Sequence, residues 1–407
     1  MRNINMHLGD AYLDANGKEN RSMKRILFVS LICLYIACQP EAVNPTGFYE
    51  LKVFFDDNEQ SGELEIVGEP EDYFGKLTIN AKRKRVYAVG LTHASRDSLA
   101  FFLPGKGGFL RLSSKGSTWE GKFKYFGLKA EVVAEKKGPP SEELQALVSL
   151  KPLGQGVIST GAEESFPVYD QYDSCLYFSR DNTLFSSQQR GDGSWAAPDT
   201  LPFSSGKDAA PYLSPDGRSL LFSSSRSLTT SPSKKNLWLV SKEAGAWTEP
   251  IKLPPPINVD TLGDYHGGIT AAQHIYFISY NRTGGYGRSD IYKATQALDG
   301  TYQVENLGPA INTSNSEADV YIDPQETYLL FASTDREDSY GADDIYISYR
   351  VEEKWQSPQN VGPVVNSFAY EYGAWVDEKG GYLYFNSFRR GSSDIYRVPL
   401  PTIEAIK

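Results

Sequence analysis

The chain has 407 residues, of which 13% are aromatic, and carries 51 Asp and Glu against 41 Lys and Arg for a net charge of −10. That length admits two domains with cores of their own, and an aromatic content dominated by Tyr and Phe suits pleated β-structure. The acidic balance argues against nucleic acid as a partner, because phosphate binding needs clustered Lys and Arg. The one basic run, Lys82-Arg83-Lys84-Arg85, reads as a solvated hairpin.

Residues 1–22 are polar and precede Met23, which reads as the true start. Residues 23–38 form a secretion signal: Lys24 and Arg25 supply the positive end, and Ile26 to Ala37 is an apolar run too short to span a bilayer. The run ends in Ile36-Ala37-Cys38, which resembles the lipobox of bacterial lipoproteins, with Tyr35 standing where Leu is usual. That resemblance implies cleavage and acylation at Cys38, hence an exported protein held to a membrane by a lipid anchor. Gln39-Pro40-Glu41, with no Asp after the Cys, fits delivery to the outer membrane, on its periplasmic or its outer side. Cys33 would leave with the signal and Cys38 would carry lipid. Cys175 then has no disulfide partner and reads as a small buried hydrophobe.

Residues 46–135 read as a small all-β domain. Eight strands are expected, at 47–54, 62–67, 74–79, 86–91, 98–103, 108–112, 119–126 and 128–134, several with strict apolar–polar alternation. Such a set builds an eight-stranded barrel or a sandwich, the barrel being favoured. Its interior either holds one small apolar ligand or is filled by its own side chains. Residues 136–151 form a linker: Lys136-Lys137-Gly138-Pro139-Pro140 breaks the strand pattern, and Ser141-Glu142-Glu143-Leu144 reads as a capped helical turn.

From 152 to 400 the chain repeats itself. Phe178, Phe222, Phe277, Phe331 and Phe385 each close a triplet of apolar residues, at spacings of 44, 55, 54 and 54. An acidic residue lies 13 or 14 positions upstream each time: Glu164, Asp208, Asp264, Glu317 and Glu371. Asp-Ile-Tyr follows at 290, 344 and 394, with Asn-Leu-Trp at 236 in its place, and Trp195, Trp247 and Trp355 come later. A fixed period of this length built from short strands is the signature of a β-propeller. Five blades are expected rather than six. The last block lacks its outer strand, and Leu153-Gly154-Gln155-Gly156-Val157-Ile158-Ser159 copies Leu307 to Thr313, so the start of the repeat region should complete blade five and close the ring.

The repeat cores, Asp208-Ala209-Ala210-Pro211-Tyr212-Leu213-Ser214-Pro215-Asp216-Gly217 and Arg288-Ser289-Asp290-Ile291-Tyr292, resemble the TolB-type, WD-like propellers of bacterial envelope proteins. The resemblance covers roughly residues 151–400. It implies a periplasmic or surface protein that works by binding proteins or glycans, and it does not by itself imply catalysis.

Three groups of residues could carry chemistry. Glu164, Asp208, Asp264, Glu317 and Glu371 should ring the central channel. They would either bind a ligand, a divalent cation being the one cofactor they would admit, or hold neighbouring blades together through backbone N–H groups. Repetition in every blade favours the structural role. Arg180, Arg226, Arg282, Arg336 and Arg389 recur on loops and are expected to pair with the Asp of Asp-Ile-Tyr in the same blade. Arg282, Tyr286, Tyr340, Phe388 and Arg389 are the candidates for recognition loops. No nucleophile elbow and no metal-ligand spacing of His or Cys is present.

The expected function is a non-catalytic binding or scaffold lipoprotein of the cell envelope, its propeller face engaging a protein or a glycan. The alternative is a glycan-binding protein or glycosidase that uses the channel carboxylates. Its mark would be a carboxylate of raised pKa in a sugar-sized cleft lined by tryptophan, and Trp375 is the tryptophan placed to approach the channel. A third reading gives the amino-terminal barrel a ligand-sensing role.

Overall fold

The structure, a computed structural model, describes residues 44–406 apart from 56–57, 71, 82–83, 96, 104–107, 227–233 and 260. The signal sequence, Cys38, Lys82 and Arg83 lie outside the described residues.

The first domain is a closed antiparallel barrel of eight strands: β1 (Gly47–Phe55), β2 (Asn58–Val67), β3 (Phe74–Asn80), β4 (Lys84–Ser95), β5 (Ser98–Leu103), β6 (Gly108–Lys115), β7 (Thr118–Tyr125) and β8 (Leu128–Gly138). Each strand pairs with the next, and β8 returns to β1 through Tyr49↔Lys136 to Phe54↔Glu131. Alternation decides which way each residue faces: in β1, Tyr49, Leu51 and Val53 are buried while Glu50 and Lys52 are exposed. Closure removes the free edges that a sandwich would leave. One continuous apolar cluster, including Val53, Leu64, Ile66, Leu77, Phe101 and Phe123, packs the barrel. Residues of all eight strands contribute to it.

The linker does more than join. Ser141 caps the helix α1 (Glu142–Ala146): its side chain accepts from the N–H of Leu144, and its own N–H donates to Glu65 of the barrel at 2.6 Å. Leu144 is thereby pressed between Val67, Phe74 and Ala88 of the barrel and Phe368 and Ala369 of the propeller. The two domains also meet backbone to backbone at Gly90 and Gly391. A Cβ on Gly391 would come within 2.3 Å of the Gly90 nitrogen, so no other residue fits that approach.

The second domain is a five-bladed propeller. Its inner strands are Glu164–Asp170, Asp208–Leu213, Asp264–Ile269, Glu317–Ile322 and Glu371–Asp377. Each pairs with the strand bearing the repeated Phe, and that strand pairs with a third. All five phenylalanines are fully buried, each contributing about 1.5–3 kcal/mol by its removal from water. Outer strands are short, and in blades two and four they break into two pieces.

Blade five has three strands only. The ring closes as the repeat predicts, though by hydrogen bonds and not by a fourth strand. The N–H of Leu153 donates to the carbonyl of Ile395 at 2.7 Å, as Leu307 does to Ile291 and Val361 to Ile345. Ser159 then bonds both backbone groups of Ile395, where the other connectors use Asn312 on Ile291 and Asn366 on Ile345. The copied segment is therefore one residue longer than its counterparts, and Thr160, not Ser159, occupies the place of Thr313.

Candidate functional site

The five repeated carboxylates do not line the channel. Glu164, Asp208, Asp264, Glu317 and Glu371 are all completely buried, and each meets an arginine of its own blade. Arg180 Nε reaches Glu164 at 2.7 Å, Arg226 reaches Asp208 at 2.8 Å, and Arg282 reaches Asp264 at 3.0 Å. Arg336 and Arg389 stand 3.4 and 3.6 Å from Glu317 and Glu371. The other face of each guanidinium lies 5.1–5.5 Å from the repeated Phe ring of the same blade. The three repeated landmarks are thus one unit, acid on arginine on phenylalanine.

Each unit also grips the segment arriving from the preceding blade. Glu164 accepts from the N–H of Thr160, Glu317 from that of Thr313 and Glu371 from that of Ser367. The arginines donate to carbonyls of the same segments, as Arg336 does to Ile311 and Arg389 to Val365. Burial pushes the Asp264, Glu317 and Glu371 carboxyls above the usual range despite these donors.

The expected pairing of arginine with Asp-Ile-Tyr is corrected. Asp290 takes the N–H of Tyr286 and the amide of Asn306, and Asp344 takes the N–H of Tyr340 and the amide of Asn360. Strand register explains the difference. In the antiparallel pair, Arg180 faces Glu164, and the serines Ser224, Ser279, Ser333 and Ser387 face the other acids, so the arginine that follows lands beside the carboxylate.

The throat of the channel is lined by the residues two to four places after each acid. The first of these, Phe166, Ala210, His266, Asp319 and Gly373, all have left-handed backbones, with φ between 40° and 61°. A bulge at this point of every inner strand turns the chain into the channel. His266 Nδ1 packs directly against Asp319 Oδ1, and the Phe166 ring stands edge-on to the imidazole at 4.3 Å. Burial, with Lys235 near by, pushes His266 down to about 3, so it is neutral at pH 7.

Four places after each acid stand Val168, Tyr212, Gly268, Tyr321 and Trp375. Gly268 leaves room on its strand, since a Cβ there would already press on Tyr212 and Ile322. Tyr212 occupies this room, and Trp375 makes edge-to-face contacts of 4.9 and 5.5 Å with Tyr212 and Tyr321. They floor a pocket of about 240 Å³ at the end of the channel away from the acid–arginine units, walled by Tyr169, Tyr172, Gln171, Gln325, Asp170, Asp377 and Glu378. Trp375 Nε1 and Gln171 Oε1 are buried there without a hydrogen-bond partner. Burial raises the Asp377 carboxyl above its ordinary range. The repeat hid this site, because its residues are those that change from blade to blade. That column of unlike residues was the signal available.

The candidate recognition residues divide. Tyr286 and Tyr340 are half exposed on their loops. Arg282 and Arg389 belong to the acid–arginine units, and Phe388 packs into the domain interface, so these three are not free to meet a partner. Arg390 clamps the domains. It pairs with Asp72, donates to the carbonyls of Val148 and Leu150, and lies 4.4 Å from the ring centre of Phe74. Beside it a cleft of about 590 Å³ runs between the domains, with Asp394 on its wall pushed up to about 7 by burial.

Glu326 was not foreseen. It sits in a left-handed turn of blade four and gathers Lys293, Arg350, His274, Tyr276 and Thr270 from blades three and four. These donors outweigh its burial and hold the carboxyl down at about 2. Among the described residues no group of three or more His, Cys, Asp or Glu is arranged to hold a metal ion.

No family model and no curated protein matches the chain. Among solved structures it is similar to a TolB from Agrobacterium tumefaciens, at 16% identity over 57% of this chain and 72% of that one, with a TM-score of 0.37. It is similar to TolB from Acinetobacter baumannii, at 11% identity over 82% and 78%, with a TM-score of 0.36. A glycoside hydrolase aligns at 11% identity over 63% and 94%, with a TM-score of 0.43. No residue role passes from these proteins to this chain.

Proposed function

We propose that this protein is a non-catalytic binding protein of the cell envelope, exported and anchored through Cys38, whose propeller engages a partner protein at the pocket floored by Tyr212, Tyr321 and Trp375. The pocket itself is the observation that supports this. It is concave, aromatic, furnished with a few polar groups in want of partners, and made where the blades differ. The carboxylates that might have acted as acid and base on the inner strands are each occupied by an arginine, which weighs against a glycosidase working through them.

A glycan in the same pocket is the second reading. What favours it is Trp375 two residues from Asp377, a carboxyl that burial raises.

Affinity purification of the full chain from detergent-solubilised envelopes, beside a Trp375→Ala variant, tests the proposal. A partner retained in stoichiometric amount by the wild type and lost by the variant is the expected result. A partner retained equally by both moves the binding surface elsewhere, and retention of glycan without protein decides for the second reading. The anchor is tested separately, by fatty-acid labelling that a Cys38→Ser variant should abolish.

A further inference from the structure

We infer that the channel-mouth pocket takes a cation, the ammonium or guanidinium of a lysine or arginine side chain presented by the partner protein. This rests on the reading that the pocket is the binding site. Of its fifteen lining residues three are carboxylates, Asp170, Asp377 and Glu378, and none is Lys, Arg or His. An anionic group, such as a sugar acid or a phosphate, would meet three like charges there.

Neighbouring cations offset this field only in part. Lys242 lies 3.6 Å from Asp170, which also accepts from the N–H groups of Tyr172 and Asp173, while Asp377 accepts from the N–H of Gly380 and has Lys379 and Arg397 near by, Arg397 being stacked on the ring of Tyr382 at 4.2 Å. Glu378 has the Tyr328 hydroxyl as its hydrogen-bond partner, at 3.2 Å, and is exposed. Among the described residues, Glu378 is therefore paired with no cation.

The floor suits the same occupant. Trp375 packs edge to face with Tyr212 and with Tyr321, and aromatic rings gathered around a hollow attract cations through the negative potential of their faces. Two polar atoms of the lining residues, the acceptor Gln171 Oε1 and the donor Trp375 Nε1, are buried without a hydrogen-bond partner. The wider charge distribution agrees, for residues 139–407 carry 34 Asp and Glu against 21 Lys and Arg, whereas residues 44–138 carry 13 against 15.

The experiment titrates the full chain in detergent with three probes: Nα-acetyl-arginine methylamide, the matching citrulline derivative, which keeps the shape and removes the charge, and methyl glucoside. The expected result is that the arginine probe binds at least about tenfold more tightly than the citrulline probe, with affinity falling as salt is added. Glu378→Gln, a surface change that leaves the fold intact, should weaken the arginine probe about fivefold and leave the citrulline probe unaffected. Equal binding of the two amino-acid probes, or binding of the glucoside with none of the arginine probe, overturns the cation and leaves the pocket as a site. No binding by any probe overturns the cation too. If the Trp375→Ala variant then also retains the envelope partner, the pocket falls with it.

Discussion

Arg390 of the last blade pairs with Asp72, on the connection between β2 and β3, while Lys151 of the linker holds the second oxygen of the same carboxylate at 2.7 Å. Arg389, the residue before it, turns the other way and is buried against Glu371. Two consecutive arginines therefore serve two structures. One locks a blade to its neighbour, and the other locks the propeller to the barrel, so the barrel is referred to blade five.

Replacing Arg390 by Gln should cost about 2 kcal/mol, less than a fully buried pair because Asp72 is one-fifth exposed and keeps Lys151. Calorimetry should then show the barrel and the propeller melting separately. A single transition at the wild-type temperature would remove the clamp from the account.

The acid–arginine units should differ in strength according to their burial. Glu371→Gln leaves Arg389 with no exposed surface and no charged partner and is expected to cost about 3 kcal/mol. Glu164→Gln should cost about half of that, because the Arg180 side chain is one-fifth exposed and water can take over part of its solvation. Urea unfolding of the two variants decides, and the reverse order would contradict the argument.

Glu326 predicts a loss of stability in acid. Its folded pKa of about 2 lies below the ordinary 4.5, so its contribution is complete above about pH 4.5 and disappears as pH falls towards 2. Glu326→Gln should cost about 3 kcal/mol at pH 6 and almost nothing more than wild type near pH 2. Unfolding curves of both proteins across that range measure the difference, and a gap that does not close in acid would refute it.

Asp394 predicts the opposite slope. Burial raises its folded pKa to about 7 from an ordinary 3.8, so the unfolded chain gives up this proton first as pH rises. Its contribution therefore falls between about pH 4 and pH 7 and is flat above. Asp394→Asn should match wild type near pH 4 and exceed it by about 4 kcal/mol at pH 8. A variant no more stable than wild type at pH 8 would show that the carboxylate is compensated in the fold.

The architecture was legible because each of its elements announces itself locally. Period-two alternation marked the barrel strands, and the recurring Phe marked the blades, for a residue that must be buried in five equivalent places recurs in sequence at the blade period. The acid, arginine and phenylalanine were each visible as repeats. Their union was not, because it depends on which side chains the hairpin register sets face to face, and the sequence equally allowed the arginine to reach the Asp of Asp-Ile-Tyr. Phe388 looked like an exposed exception to the repeat. It is an exception because a second domain covers it.

By itself, then, the order of residues determined the strands, the number of blades and the segment that closes the ring, since these follow from short-range periodicity and burial. Only the tertiary structure decided where charge and space are left over. Tyr212, Tyr321 and Trp375 lie more than fifty residues apart in pairs and meet only because five bulged strands aim the same position at one axis, with Gly268 leaving the gap that Tyr212 fills. Repetition builds the propeller, and the pocket is made from the places where repetition stops.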